Sequence, residues 1–218
     1  MIKIFIGYDP KEDIAYQALV KSIEDKTTIP FQIFPLNIRD LPMFDRYDER
    51  QSNEFSFTRF LVPYLSDFDG IAIYMDCDMM LREDLSEVLK NLEYKAVHVV
   101  KHDYTSKFDT KFLGAKQYNY PRKNWSSFII WNCNHPSNKI LIPEFINTVD
   151  AKVLHRFLFI NDKDIGSLDV KWNWLVGEYD NPPADVKNVH WTIGGPWFND
   201  FKDSDFAQEW FELYRRIK

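Results

Sequence analysis

The sequence predicts an α/β fold with a mostly parallel central sheet flanked by helices, and three observations carry that prediction. Short apolar runs rich in β-branched residues recur at 2–6, 31–36, 71–75, 96–100 and 127–131. Between the first two, residues 13–25 place Ile14, Ala15, Ala18, Leu19 and Ile23 at the spacing of one helix face. Strand, helix and strand at this spacing form a βαβ unit, which implies parallel pairing and a right-handed crossover.

The elements follow in order. Gly7 stops the first strand, and Pro30 precedes the second. Residues 37–54 are polar and irregular, a loop long enough to be functional. Residues 55–65 read as a helix interrupted by Pro63, and 71–75 as the next strand. Residues 84–92 form a helix whose acidic start suits its dipole. After the strand at 96–100, residues 101–124 carry mixed charges, Gly114 and Pro121, and read as a second long loop. The strand at 127–131 is followed by a helix over 136–148, a short strand at 186–189 and a closing helix from 204 to about 216. No internal repeat or linker divides the 218 residues, so 1–218 reads as a single domain. A chain of this length buries roughly 70% of its unfolded surface.

Composition narrows the function. The net charge of −6 argues against a nucleic-acid binder. Seven Trp and eighteen Phe exceed the needs of a small core, so some are expected to line a ligand cleft. Cys77 and Cys133 stand outside any ligand-spaced cluster and read as reduced thiols of a cytoplasmic protein. No stretch approaches the ~20 apolar residues of a membrane span, which leaves peripheral contact as the expected mode at a membrane.

In open α/β sheets ligands bind at the carboxyl ends of strands. There the run 71–75 leads into Asp76-Cys77-Asp78. Two carboxylates two residues apart point the same way on extended backbone, and their repulsion calls for a cation. Hard oxygen ligands suit Mn²⁺ or Mg²⁺, with a substrate phosphate completing the shell. Taken alone, the pair could equally open a loop and cap the following helix. His190 alone reads as an interior histidine, but a neutral imidazole could join the same cation. Arg59 alone could be a structural ion pair or a bidentate hold on phosphate.

Tyr74-Met75-Asp76-Cys77-Asp78 resembles the strand-end motif of GT-A glycosyltransferases, particularly the family-8 type. Further segments resemble that family in the same order: Gly7-Tyr8-Asp9, residues 56–63 with Arg59, residues 126–132 with Ser126 and Ser127, Asp162-Lys163-Asp164, Trp172-Asn173, and residues 190–197. The resemblance implies a Rossmann-like GT-A domain and a metal held by Asp76, Asp78 and His190. It implies a nucleotide-sugar donor, UDP-sugar by analogy, contacted by Gly7, Tyr8, Asp9, Arg59, Cys77, Ser126, Ser127, Gly194, Gly195 and Trp197. In that set Tyr8 stacks on the base, Asp9 accepts from base or ribose, and the two glycines admit the phosphates closely. Cys77 faces inward and is not a metal ligand. Asp162 and Arg59 are the implied catalytic residues, Asp162 offsetting positive charge at the anomeric carbon, and Glu178 is a candidate acceptor-side group.

Two positions depart from the family. Gly195 stands where the family carries a lysine that grips the diphosphate, and Lys163 replaces a glutamine. The expected activity is transfer of a hexose-type sugar to an acceptor hydroxyl in glycan or polysaccharide synthesis, with retention favoured. Two rivals are a non-catalytic nucleotide-sugar or glycan binder and a sugar-phosphate nucleotidylyltransferase. The latter would carry a Gly-rich basic loop after the first strand, which Gly7-Tyr8-Asp9-Pro10-Lys11 lacks.

Overall fold

The computed structural model describes residues 1–46, 53–111, 114, 116 and 118–217. Parts of both long loops therefore lie outside the described residues. The βαβ unit is present: β1 (Ile2–Gly7) pairs in parallel with β2 (Phe31–Leu36) across α1 (Asp13–Lys26). With β3 (Ile71–Met75), β5 (Val97–Val100), β6 (Phe128–Asn132) and β7 (Ile165–Leu168) they form a six-stranded sheet. Its order is β2-β1-β3-β6-β5-β7. Pairing is parallel except on both sides of β6, which runs antiparallel to β3 and β5.

Alternation along the central strands sorts the core onto two faces. Ile4 and Ile6 pack with Leu19 and Ile23 of α1, while Phe5 joins Phe57, Phe60 and Trp131 on the other side. A smaller sheet joins β4 (Met79–Leu81), β9 (Asn188–His190) and β8 (Trp174–Leu175) in that order. It packs through Met80, Val189 and Trp191 against Trp210 and Leu213 of the last helix, α6 (Ala207–Arg215).

Several helices are shorter than their sequence pattern. Over 55–65 the chain forms a 3₁₀ turn, Thr58–Leu61, and then α2 (Val62–Leu65), with Pro63 in its first turn, where a missing N–H costs nothing. In the segment 84–92 only α3 (Leu85–Val88) is helical, and Asn91 takes a left-handed φ of 58° just beyond it. The segment 136–148 divides into a 3₁₀ turn, Pro136–Ile140, and α4 (Pro143–Thr148). Pro143 is the reason, because it forces Ile142 into extended backbone at ψ 156°. A short helix not foreseen from sequence, α5 (Ala151–His155), follows. Among the described residues no helix is long and apolar enough to cross a membrane.

Candidate functional site

Asp76 leaves β3 still bound to its neighbour, its N–H donating to the Ser127 carbonyl at 3.0 Å. A turn at Cys77 and Asp78 then joins β3 to β4; it buries Cys77 fully in the core and leaves Asp76 and Asp78 lining the cavity. The chain continues into β4, whose first residue, Met79, pairs with His190 of β9. That register brings the His190 ring to Asp78, with Nε2 3.2 Å from Oδ1. Ligand atoms of Asp76, Asp78 and His190 all lie within 4.8 Å of one another, in buried surroundings.

The imidazole is held by a chain of hydrogen bonds. Ser127 Oγ donates to the Asn124 carbonyl (2.7 Å), Asn173 Nδ2 donates to Ser127 Oγ (2.8 Å), and Asn173 Oδ1 faces His190 Nδ1 (2.9 Å). This network assigns the ring proton to Nδ1 and leaves the Nε2 lone pair directed at Asp78 in the neutral ring. Asp78 Oδ1 receives no well-aligned hydrogen bond, although it is buried. Two lone pairs facing each other need a proton or a cation between them. The carboxylates of Asp76 and Asp78 alone would repel by about 3 kcal/mol at an effective dielectric near 20. The donor set fits a hard divalent ion closely.

Asp76 is clamped from the other side. Arg59 Nη2 lies 2.9 Å from Asp76 Oδ1, Tyr74 donates its phenol to the same oxygen at 2.6 Å, and Arg59 Nη1 donates to the Ser126 carbonyl at 2.7 Å. Burial raises the Asp76 carboxyl above its ordinary range and the Arg59 charge opposes that. For Asp78 burial is the largest influence and also acts upward, but the His190 ring when protonated, the Lys111 charge and a backbone hydrogen bond together hold the carboxyl below its ordinary value.

A cavity of about 500 Å³ opens over this group. Of the sequence-predicted residues, Arg59, Asp76, Asp78, Ser126 and His190 line it. Gly7, Tyr8, Asp9, Cys77, Ser127, Asp162, Gly194, Gly195 and Trp197 do not. Tyr8 donates its phenol to Asp13 at 3.0 Å and meets Tyr16 edge-on, and the buried Asp9 carboxylate accepts from the Lys11 and Glu54 N–H groups. Side chains added at Gly194 and Gly195 would strike the rings of Phe201 (2.4 Å) and Trp197 (2.1 Å). Ring packing occupies the space on the Cβ side of both residues. Trp197 lies against Trp191 and Trp210, and none of the seven Trp lines the cavity, whose aromatic members are Phe57, Tyr118, Tyr120 and His155. Asp162 is 79% exposed and paired with Arg122 at 2.7 Å. Glu178 is buried and accepts from the Lys107 N–H, which ties down the loop after β5.

Sequence reasoning missed Glu12 and the basic residues of the cavity. Glu12 is 2% exposed, its Oε1 has no hydrogen-bond partner among the described residues, and burial with the charges of Asp78, Asp9 and Asp76 pushes its carboxyl well up. Its position in a first turn resembles ordinary dipole compensation, so the sequence carried no signal. Lys111, Lys123 and Arg156 reach the cavity from distant segments, and burial lowers the two lysines.

Solved structures share this arrangement of elements. The chain is similar to the galactosyltransferase LgtC, solved with donor and acceptor sugar analogs (TM-score 0.61, 12% identity, 99% of this chain and 96% of that one). It is similar to the glycosyltransferase GlyE of Streptococcus pneumoniae (TM-score 0.64, 14% identity, 99% and 62%). It is also similar to the bifunctional glycosyltransferase WbbM (TM-score 0.63, 16% identity, 98% and 49%), of which it spans about half the length. The fold is therefore the GT-A fold, carrying a buried Asp-x-Asp and His group. No family model matches the chain. It belongs to the family of Protein CDI of Arabidopsis thaliana, with which it is 45% identical over 217 residues, covering 95% of this chain and 84% of that protein.

Proposed function

We propose that this protein is a metal-dependent glycosyltransferase that moves a hexose from a UDP-sugar to an acceptor hydroxyl. The observation that carries the reading is the convergence of Asp76, Asp78 and the Asn173-oriented His190 at the floor of the cavity on a GT-A fold. These three residues would hold Mn²⁺ or Mg²⁺. A bound cation supplies Lewis-acid stabilisation of the negative charge that grows on the leaving diphosphate.

The chain's own residues do the rest. Arg59 is a positioning residue: it fixes Asp76 and the Ser126 carbonyl while adding a buried positive charge beside the leaving group. Lys111, which lies in the field of Asp78 and Asp76, is placed to hold a phosphate, and this answers the absence of a basic residue at Gly195. Asp162 has no role in this reading, and retention of configuration rests on the family resemblance alone.

Turnover of a panel of UDP-hexoses, followed as UDP release with and without Mn²⁺, tests the reading. Release that needs the metal and falls at least about a hundred-fold in Asp78→Ala is expected from loss of one metal ligand. Binding of UDP-hexoses with no release under any metal would favour the non-catalytic binder instead.

A further inference from the structure

The cavity has the opposite charge from the protein that contains it. The chain carries −6, yet the described residues lining the cavity include six Lys and Arg against three Asp. Arg59 is matched by Asp76, and Lys152 lies 3.6 Å from Asp150. Lys111 stands near Asp78 and Asp76, and Lys123 is in the field of Glu178. Lys116 and Arg156 form no ion pair with any described residue. Lys116 is exposed but pinned by a bridge to Thr110, and Arg156 follows α5 directly.

A UDP-sugar brings two negative charges, which a divalent cation already balances, while Lys111 is set against Asp78. The cations further out remain in surplus. Tyr120, 40% exposed, lines the same cavity as Arg59, Asp76 and Arg156 and stands in the field of all three. It therefore offers a ring in the cavity that holds both the Asp76, Asp78 and His190 group and the surplus cations. A partly exposed aromatic ring in one cavity with cations suits a ligand that is part sugar ring and part anion. In a chain otherwise acidic, such a cavity concentrates anions that the remaining surface repels.

We propose that the acceptor is an anionic sugar, bearing a phosphate or carboxylate group, held with that group at Lys116 and Arg156 and its ring against Tyr120. This rests on the glycosyltransferase reading, and the test separates the two. Full-length protein, alone and saturated with UDP and Mn²⁺, is titrated with glucose 6-phosphate, glucuronate, glucose and inorganic phosphate, with binding read by ligand-observed NMR. At least one charged sugar is expected to bind about ten-fold or more tighter than glucose, as a charge-assisted contact implies. Which one binds better distinguishes phosphate from carboxylate. Lys116→Glu/Arg156→Glu should lose that preference with an unchanged melting temperature, and Lys116→Arg/Arg156→Lys should keep it. Equal binding of glucose, or inorganic phosphate binding as tightly as glucose 6-phosphate, would overturn the proposal. Loss of UDP binding in the charge-reversed variant would also overturn it, by assigning those cations to the donor. Failure of the unaltered protein to bind UDP would overturn the donor reading instead, and the titrations without UDP would still decide whether a charged sugar is preferred.

Discussion

His190 is useful because of a residue that never touches the cation. Asn173 comes from the 3₁₀ turn Val170–Asn173 just before β8, and β8 pairs in parallel with β9, so the sheet itself fixes the distance between amide and ring. Asn173 is fully buried, with Nδ2 held by Ser127 and Oδ1 facing His190. Outer partners of a ligating histidine typically contribute ten- to a hundred-fold in metal affinity. Asn173→Ala should therefore weaken Mn²⁺ binding by about that factor, with Asn173→Asp recovering part of it, both read by calorimetric titration of Mn²⁺. Unchanged affinity in Asn173→Ala would show that the ring is oriented by packing alone. At this scale the sequence was most informative where local spacing sufficed. Asp76 and Asp78 do face one site with Cys77 buried between them, although the chain turns at Cys77 and Asp78 instead of staying extended. Glu12 and Arg156 offered no such signal, because what places them is the meeting of segments far apart in the chain. Gly194 and Gly195 signal close approach without saying what approaches, and on the side a Cβ would occupy it is Phe201 and Trp197.

At the scale of elements, the longer strands were legible, while the short strands β4, β7 and β8 and the helix ends were not. Apolar β-branched runs identify β1, β3, β5 and β6 within about a residue of their bounds. Strand β4 escaped notice because three residues show no period, yet it carries the chain from Asp78 into register with His190. Helix α3 illustrates what ends and starts cost. Asp84 caps it by accepting from the Ser86 N–H at 2.8 Å, and it also holds the Thr28 N–H and hydroxyl at the end of the α1–β2 connection. Burial is the largest single influence and opposes ionisation, but the hydrogen bonds from Thr28 and Ser86 together prevail and bring the carboxyl down to about 2. A carboxyl lowered in the folded state stabilises it above the unfolded value and loses that contribution as pH falls through the folded one. Asp84→Ala should cost about 1 kcal/mol at neutral pH. The gap to the unaltered protein should close between the ordinary carboxylate range and about pH 2, as followed by denaturant unfolding across that window. A gap that stays constant with pH would mean that the cap acts through shape and not through charge.

Across the whole molecule, two sheets share one site. The six-stranded sheet supplies Asp76 and Ser127, the three-stranded sheet supplies His190, and Asp78 lies where the chain passes between them. The abundance of aromatic residues, which composition alone ties to a ligand cleft, serves mainly to build the core. Trp131, Trp191 and Trp210 are among its largest fully buried side chains. The cavity's positive lining inside a chain of charge −6 could not be read from totals, since net charge carries no position. The central claim is that Asp76, Asp78 and His190 form one cation site serving a nucleotide diphosphate. Calorimetric titration of the protein with UDP, with and without Mn²⁺ and repeated on His190→Ala, tests it most directly. The account predicts UDP binding that requires Mn²⁺ and is lost in the variant. Absent binding, or binding indifferent to the metal and to His190, would contradict it.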